Sequence, residues 1–596
     1  MDETKQVVRA GRAVGGEIRF GEGSRAVEIA ASEGVHRLLE LPSHRDAIGG
    51  TGGARQPRGR ERSFASLLPG RGYPAVVGQQ LNPAPAAPLI GFDEAIAAYD
   101  AGERQALLPR LEAAVRAGSG DARLWHLHGL VARELDRREE ALPSLRKAAQ
   151  MAPGSARIAH ALARTLLEAG LPSVDAFGHA LKLAPADEEV IAGLASAFIA
   201  DGEPQTALAG LEKIVARSPH WTRGHVLLSR LRWMEGDRES FARSFDEALK
   251  QAPGNLELRR EQLIALIHAE RYEDVLRAIA TGRAAIGDQL LFDVNEAIAY
   301  AELGEIETAE RLFEPFDQLD DATVQVRRVR MYLRSARPQL AAEIGERWTE
   351  RPDAFLFWPY LSLAWRQIDE PRWRWLEGDE SFIGVYDIAD RLPPIDLIAE
   401  KLRKLHTLGG QPLEQSLRGG TQTDGNLFMH VDPVFVQLRE AIRATVAEHV
   451  AKFPAVDQRH PLLGRKRDPI HFSGAWSVLL HSKGFHANHV HPAGWISSAL
   501  YILLPPDSGK GEAGVLTLGE AKAPNFPVDL PAFRTVEPKP GRLVLFPSYT
   551  WHGTRPFGEG ERMTVAFDVA AQPPALGADR SRSQSRGSWD KTGASE

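Results

Sequence analysis

Apolar positions change their period along the chain. From about residue 88 to 350 they recur at helical spacing, as in "LWHLHGLVARELDRREEALPSLRKAAQMAP" at 124–153, which predicts paired amphipathic helices. The unit repeats. Pro185, Pro219 and Pro253 stand 34 residues apart with Pro153 ahead of them, and Gly170, Gly202, Gly236 and Gly304 make a second ladder at 32, 34 and twice 34 residues. Glycines that end one helix and prolines that end the next are the punctuation of a helix–turn–helix repeat. Gly129, Ala141 and Ala148 are small enough for paired helices to approach, and Trp125 and Leu145 are expected to fill the space between them. Later units keep Ala207 and Ala309 five residues after their glycines, with Phe245 and Phe313 at a matching place on the second helices, so seven or eight repeats are expected.

Beyond about 470 the period shortens. "GAWSVLLH", "WISSALYILLP", "GVLTLGE", "GRLVLFPSYTWH" and "RMTVAFDVA" are short, rich in β-branched and aromatic residues, and separated by Gly and Pro. They predict an antiparallel barrel or sandwich. The tryptophan-rich stretch at 355–379 is too irregular for a further repeat and is expected to cap the solenoid and pack on the C-terminal domain. The resulting division is a mostly disordered 1–87, a solenoid at 88–350, a capping or linker segment at 351–389, a β-rich domain with flanking helices at 390–571, and a disordered tail at 572–596.

Composition narrows the chemistry. A chain of 596 residues exceeds one ordinary core, and 43% apolar with 25% charged residues is a soluble globular balance. The formal net charge of -7 gives no reason to expect nucleic acid as a partner. The absence of cysteine removes disulfides, iron–sulfur clusters, thiolate zinc sites and cysteine nucleophiles, so any metal must be held by His, Asp or Glu. No signal-like stretch opens the chain and there is no run of 18 apolar residues, which predicts a cytoplasmic protein with no membrane partner.

The candidate metal ligands are His489 and His491, two apart at the head of a strand and so on one face, and His552 at the end of another. Three such ligands can hold iron(II) on one side and leave positions open for substrate and oxygen. "FMHVDP" at 428–433 contains a literal His-x-Asp pair, His430 and Asp432. It is read instead as the start of a helix, with Asp432 as N-cap and Pro433 in the first turn. His486 is expected to face away from the cluster, and His471 and His481 to be ordinary, partly buried histidines. Trp551 is read either as a shield for the metal or as part of the barrel wall.

The chain carries two family resemblances. The unit at 124–153 resembles the tetratricopeptide repeat at six offsets: Trp125, Gly129, Ala141, Leu145, Ala148 and Pro153. That implies a superhelix whose concave face recognises a protein or peptide. His-x-His, then His552 63 residues after His489, then Arg562 ten later, resembles the Fe(II)/2-oxoglutarate dioxygenases of the double-stranded β-helix, or jelly-roll, fold. "QSLRGGTQTDGNLF" at 415–428, "NHVHPAGWISSALYILLP" at 488–505 and "GRLVLFPSYTWHGTRP" at 541–556 look like conserved blocks of a bacterial and phage branch, over roughly 390–570. The resemblance implies iron(II) on His489, His491 and His552, and 2-oxoglutarate on the metal and Arg562 with help from Thr564. It also implies oxygen-dependent conversion of 2-oxoglutarate to succinate coupled to hydroxylation. His491 stands where most of that superfamily has an acidic ligand. It is either a third ligand or a residue behind two ligands, and the alternative to an enzyme is a non-catalytic repeat scaffold carrying a degenerate oxygenase fold.

Overall fold

The computed structural model describes residues 89–571, apart from 369–370, 414 and 524–525. The disorder expected for 1–87 and 572–596 falls outside the described residues. Eight successive helix pairs run from Phe92–Asp100 to Pro338–Glu346. Side chains of Asp121, Ser155, Asp187, Asn255 and Asp321 accept backbone N–H groups at the start of first helices, each satisfying a donor with no partner inside its helix. After the first helices the backbone turns left-handed at Gly170, Gly202, Gly236 and Gly304, and Asp136, Glu270 and Ala336 take the same conformation in other repeats. Gly129 is required by packing, because a Cβ there would lie 2.5 Å from Leu145. Trp125 is half-buried and donates its indole N–H to Ser119 O at 2.8 Å.

The C-terminal region is antiparallel throughout. Its strands are β1 (Gly384–Asp387), β2 (Leu417–Gln422), β3 (Phe472–His486), β4 (Gly494–Leu503), β5 (Leu516–Leu518), β6 (Arg534–Val536), β7 (Arg542–Pro547), β8 (His552–Thr554) and β9 (Arg562–Ala570). A six-stranded sheet has the order β1-β7-β4-β9-β3-β2 and a three-stranded sheet the order β8-β5-β6, with one further two-residue pair. This is the expected fold class: an all-α tetratricopeptide-type solenoid followed by a mainly β jelly-roll with flanking helices. Among the described residues no helix is long and apolar enough to cross a membrane.

The two parts share one apolar core, continuous from Ala322 and Trp348 through Trp358, Leu376 and Leu438 to Val569. Trp551 belongs to it: its indole donates to Pro359 O at 3.0 Å and its ring meets Tyr360 edge-on, so it builds the wall against helix Trp358–Gln367. A second contact runs along the row of left-handed turns. Residues 405–413 form a strap on which Leu408 enters the cluster of Trp221, Leu228 and Met234, and Leu413 enters that of Phe241, Phe245 and Val275, and 415–416 lead on from it. Burying each leucine contributes about 1.5–3 kcal/mol to the docking. Arg418 reaches Glu270 at 3.6 Å, and Val431 N–H donates to Ala169 O at 3.1 Å. The strap then leads into β2, whose first residues pair with the end of β3.

Candidate metal centre

His489 and His491 lie in the loop between β3 and β4, ahead of the strand rather than on it, and His552 opens β8 instead of closing a strand. Backbone bonds fix them. His489 and His552 exchange both N–H···O bonds, at 2.9 and 3.0 Å, as an isolated antiparallel bridge, and His491 N–H donates to Ser548 O at 2.9 Å. The ring centroids stand 4.1 Å apart for His489 and His552, 5.0 Å for His489 and His491, and 5.2 Å for His491 and His552. One nitrogen from each ring lies within 4.8 Å of the others.

Which nitrogen faces inward follows from the other one. His489 Nδ1 is 2.9 Å from Ala487 O and His552 Nδ1 is 3.0 Å from Thr550 O; a carbonyl only accepts, so each Nδ1 carries the hydrogen. His491 Nδ1 faces both oxygens of Asp568, at 3.0 and 2.8 Å. Three Nε2 lone pairs are therefore left to converge, the tautomer a metal ligand needs. Burial, followed by the neighbouring imidazoles, holds His489 and His552 well below the usual histidine pKa, so both rings are neutral near pH 7.

Two features of the surroundings ask for an anion and shape the approach. Arg562, the first residue of β9, is 2% exposed with its guanidinium 5.1 Å from the Tyr501 ring centroid. Its Nε and Nη1 have no hydrogen-bond partner, and among the described residues no acidic side chain pairs with it. Burial pulls its pKa below the usual arginine value. A buried guanidinium without a counter-charge is costly, and its planar fork suits a carboxylate. Thr564, two residues on, is buried on the same strand. Ser416, just after the strap, places its hydroxyl 3.2 Å from His489 Nε2 and 3.2 Å from His486 Nδ1.

His486 thus does not face away: its ring stacks on His489 at 5.9 Å. The chain bends where β3 ends, so strand alternation does not extend to 489. His471 and His481 are exposed rather than partly buried. Asp432 does cap helix Pro433–Val450, accepting Val434 N–H at 2.9 Å, and His430 packs against Gly170. Asp568 and Ser416 have no assigned role in the sequence reading. For Asp568 a signal exists, a lone acid in the apolar "RMTVAFDVA" at even spacing from Arg562.

Residues 474–568 match the protein family described as "Putative 2OG-Fe(II) oxygenase". No curated protein matches the chain. Among solved structures, a prolyl-4-hydroxylase of Pseudomonas putida aligns at 17% identity over 32% of this chain and 94% of its own, with a TM-score of 0.22. A tetratricopeptide repeat protein from Parabacteroides merdae aligns at 17% identity over 46% of this chain and 96% of its own, with a TM-score of 0.28. MamA aligns at 18% identity over 28% of this chain and 93% of its own, with a TM-score of 0.25. Behind a solenoid of tetratricopeptide-type helix pairs, the segment 474–568 is therefore a domain that matches the family described as "Putative 2OG-Fe(II) oxygenase".

Proposed function

We propose that the chain is an Fe(II)- and 2-oxoglutarate-dependent dioxygenase that hydroxylates a protein or peptide. The observation that carries this reading is the pairing of three converging imidazoles with one buried, unpaired arginine. His489, His491 and His552 would hold iron(II) through Nε2, and Arg562 would take the distal carboxylate of 2-oxoglutarate with Thr564 beside it. Bound iron supplies oxygen activation, coupling R–H, O2 and 2-oxoglutarate to R–OH, succinate and CO2. The chain's own residues do the rest. Backbone bonds at Ala487, Thr550 and Ser548 orient the rings, Phe546, 4.7 Å from His552, excludes water, and Arg562 fixes the co-substrate's far end.

In this reading 390–571 is the catalytic unit, 351–389 joins it to the solenoid, and 88–350 selects the substrate. Support for recognition by the solenoid is a small cavity lined by His160, Arg164, Glu189 and Arg223 from three successive first helices, over Phe177 and Gly193. The β-domain docks on the row of turns instead. Anaerobic titration with iron(II) and 2-oxoglutarate, watched in the visible for the charge-transfer band of the chelate, tests the cofactor pair. A band is expected in the wild type and a weaker one in both His491→Ala and Arg562→Ala. No band in the wild type would leave a repeat scaffold with a degenerate oxygenase fold.

A further inference from the structure

Two opposite charges are buried on β9 and do not meet. Arg562 opens the strand and Asp568 lies six residues on, 4% exposed. Among the described residues no lysine or arginine pairs with Asp568; His491 is its one basic contact. A buried carboxylate is retained at a cost unless a cation or a full set of donors compensates it. Its donors converge on the candidate metal centre. Ser497 Oγ–H donates to Asp568 Oδ1 at 2.6 Å, and the Ser548 hydroxyl stands 2.9 Å from Ser497 Oγ. Ser548 O in turn accepts the His491 backbone N–H, so His491 is held at both its backbone and its Nδ1 by one closed set of contacts.

We propose that Asp568 is a positioning residue that delivers, through the His491 imidazole, the negative charge a carboxylate ligand would otherwise give the metal. The proposal rests on the metal-site reading above. With Nδ1–H given to Asp568, Nε2 of His491 is the atom left for the metal, and the carboxylate orients the ring through the shared hydrogen. Three neutral imidazoles and one buried carboxylate then sum to the same charge around the metal as two histidines and an acidic ligand. His491 keeps its place in the row, and the acid stands one residue further out. Arg562 and Asp568, six residues apart on one extended strand, are too far apart to pair with each other.

The test is titration of the full chain with Co(II), the d–d spectrum reporting coordination, followed by the reduction potential of the iron form. Asp568→Asn keeps the shape and removes the charge. It is expected to weaken Co(II) binding about 10–100-fold and to raise the potential, favouring iron(II). Asp568→Glu is expected to recover most of the affinity. Glu302→Gln, which lowers stability in the solenoid and leaves the surroundings of Asp568 intact, is expected to stay within about threefold of wild type, separating a charge effect from a folding one. Wild-type affinity and potential in Asp568→Asn would overturn the proposal while leaving the metal site standing. Failure of the wild type to bind Co(II), or binding indifferent to His552→Ala, would overturn the metal site itself and this proposal with it.

Discussion

Buried charges are treated differently in the two halves of the molecule. In the solenoid the buried carboxylates are paired with arginines: Glu302, 3% exposed in its side chain, takes Arg330 Nε at 2.6 Å and Arg334 at 3.4 Å, and Glu168 takes Arg133, Arg138 and Arg164. In the β-domain Arg562 and Asp568 share a strand and neither has an oppositely charged side chain of fixed charge beside it. Paired burial is what a fold needs to tolerate charge; unpaired burial is tolerated where something outside the chain completes it. The solenoid's ion pairs therefore read as architecture and the β-domain's lone charges as function.

Acid should separate the halves most strongly. Burial, the largest cause in each, pulls His406, His430, His449 and His460 to about 4, whereas His126 alone among the solenoid histidines reaches that value. Each folded-state pKa lies below the unfolded value of about 6.5, so unfolding takes up protons as the pH falls. Stability is complete above about pH 6.5 and drains between there and pH 4, by about 1–2 kcal/mol per histidine at pH 5. Hydrogen exchange followed by mass spectrometry at pH 5 should show the segments around His406, His430, His449 and His460 opening while the helices of 122–286 stay protected. Simultaneous loss of both would mean that the shared core at Trp348, Trp358 and Leu376 makes them one cooperative unit.

Next in size is the contrast of two single substitutions. Glu302→Gln removes the buried carboxylate that Arg330 and Arg334 share and should cost about 3–5 kcal/mol in urea or thermal unfolding. Arg562→Leu removes a charge that already lacks a counter-ion, so stability is expected to hold or rise while 2-oxoglutarate binding is lost. Equal destabilisation by both would erase the distinction between architectural and functional charge.

The same contrast explains how much could be read from the chain. Solenoid contacts join residues about one repeat apart, such as Arg133 with Glu168 or Arg271 with Glu239, so a period of 34 carries them. His489 and His491 are legible because they are histidines two apart in a cysteine-free chain, and His552 because it ends an apolar strand-like stretch. Their supports come from afar without a period. Asp568 reaches His491 across 77 residues, Ser416 reaches His489 across 73, and Pro359 meets Trp551 across 192. His486 was misplaced for a local reason: alternation holds along a strand, and β3 ends there. Leu408 and Leu413 look like loop residues in sequence, since the grooves that receive them exist only once the repeats have stacked.

The smallest expected effect lies where the halves meet. Ser416 follows the strap that the solenoid grips, and its hydroxyl contacts His489 Nε2 at 3.2 Å. Nε2 has one lone pair when Nδ1–H is given to Ala487 O, so the serine and a metal compete for it. Ser416→Ala removes the competitor, and a hydrogen bond of this kind is worth about 0.5–1.5 kcal/mol. Metal affinity should therefore rise about two- to tenfold, measured by Co(II) titration against the wild type. The direction decides the serine's role, because a residue that helped hold the metal would weaken binding on removal. If the affinity falls, the strap is part of the site and the solenoid contributes to metal binding through it; if it rises, the strap only borders the site.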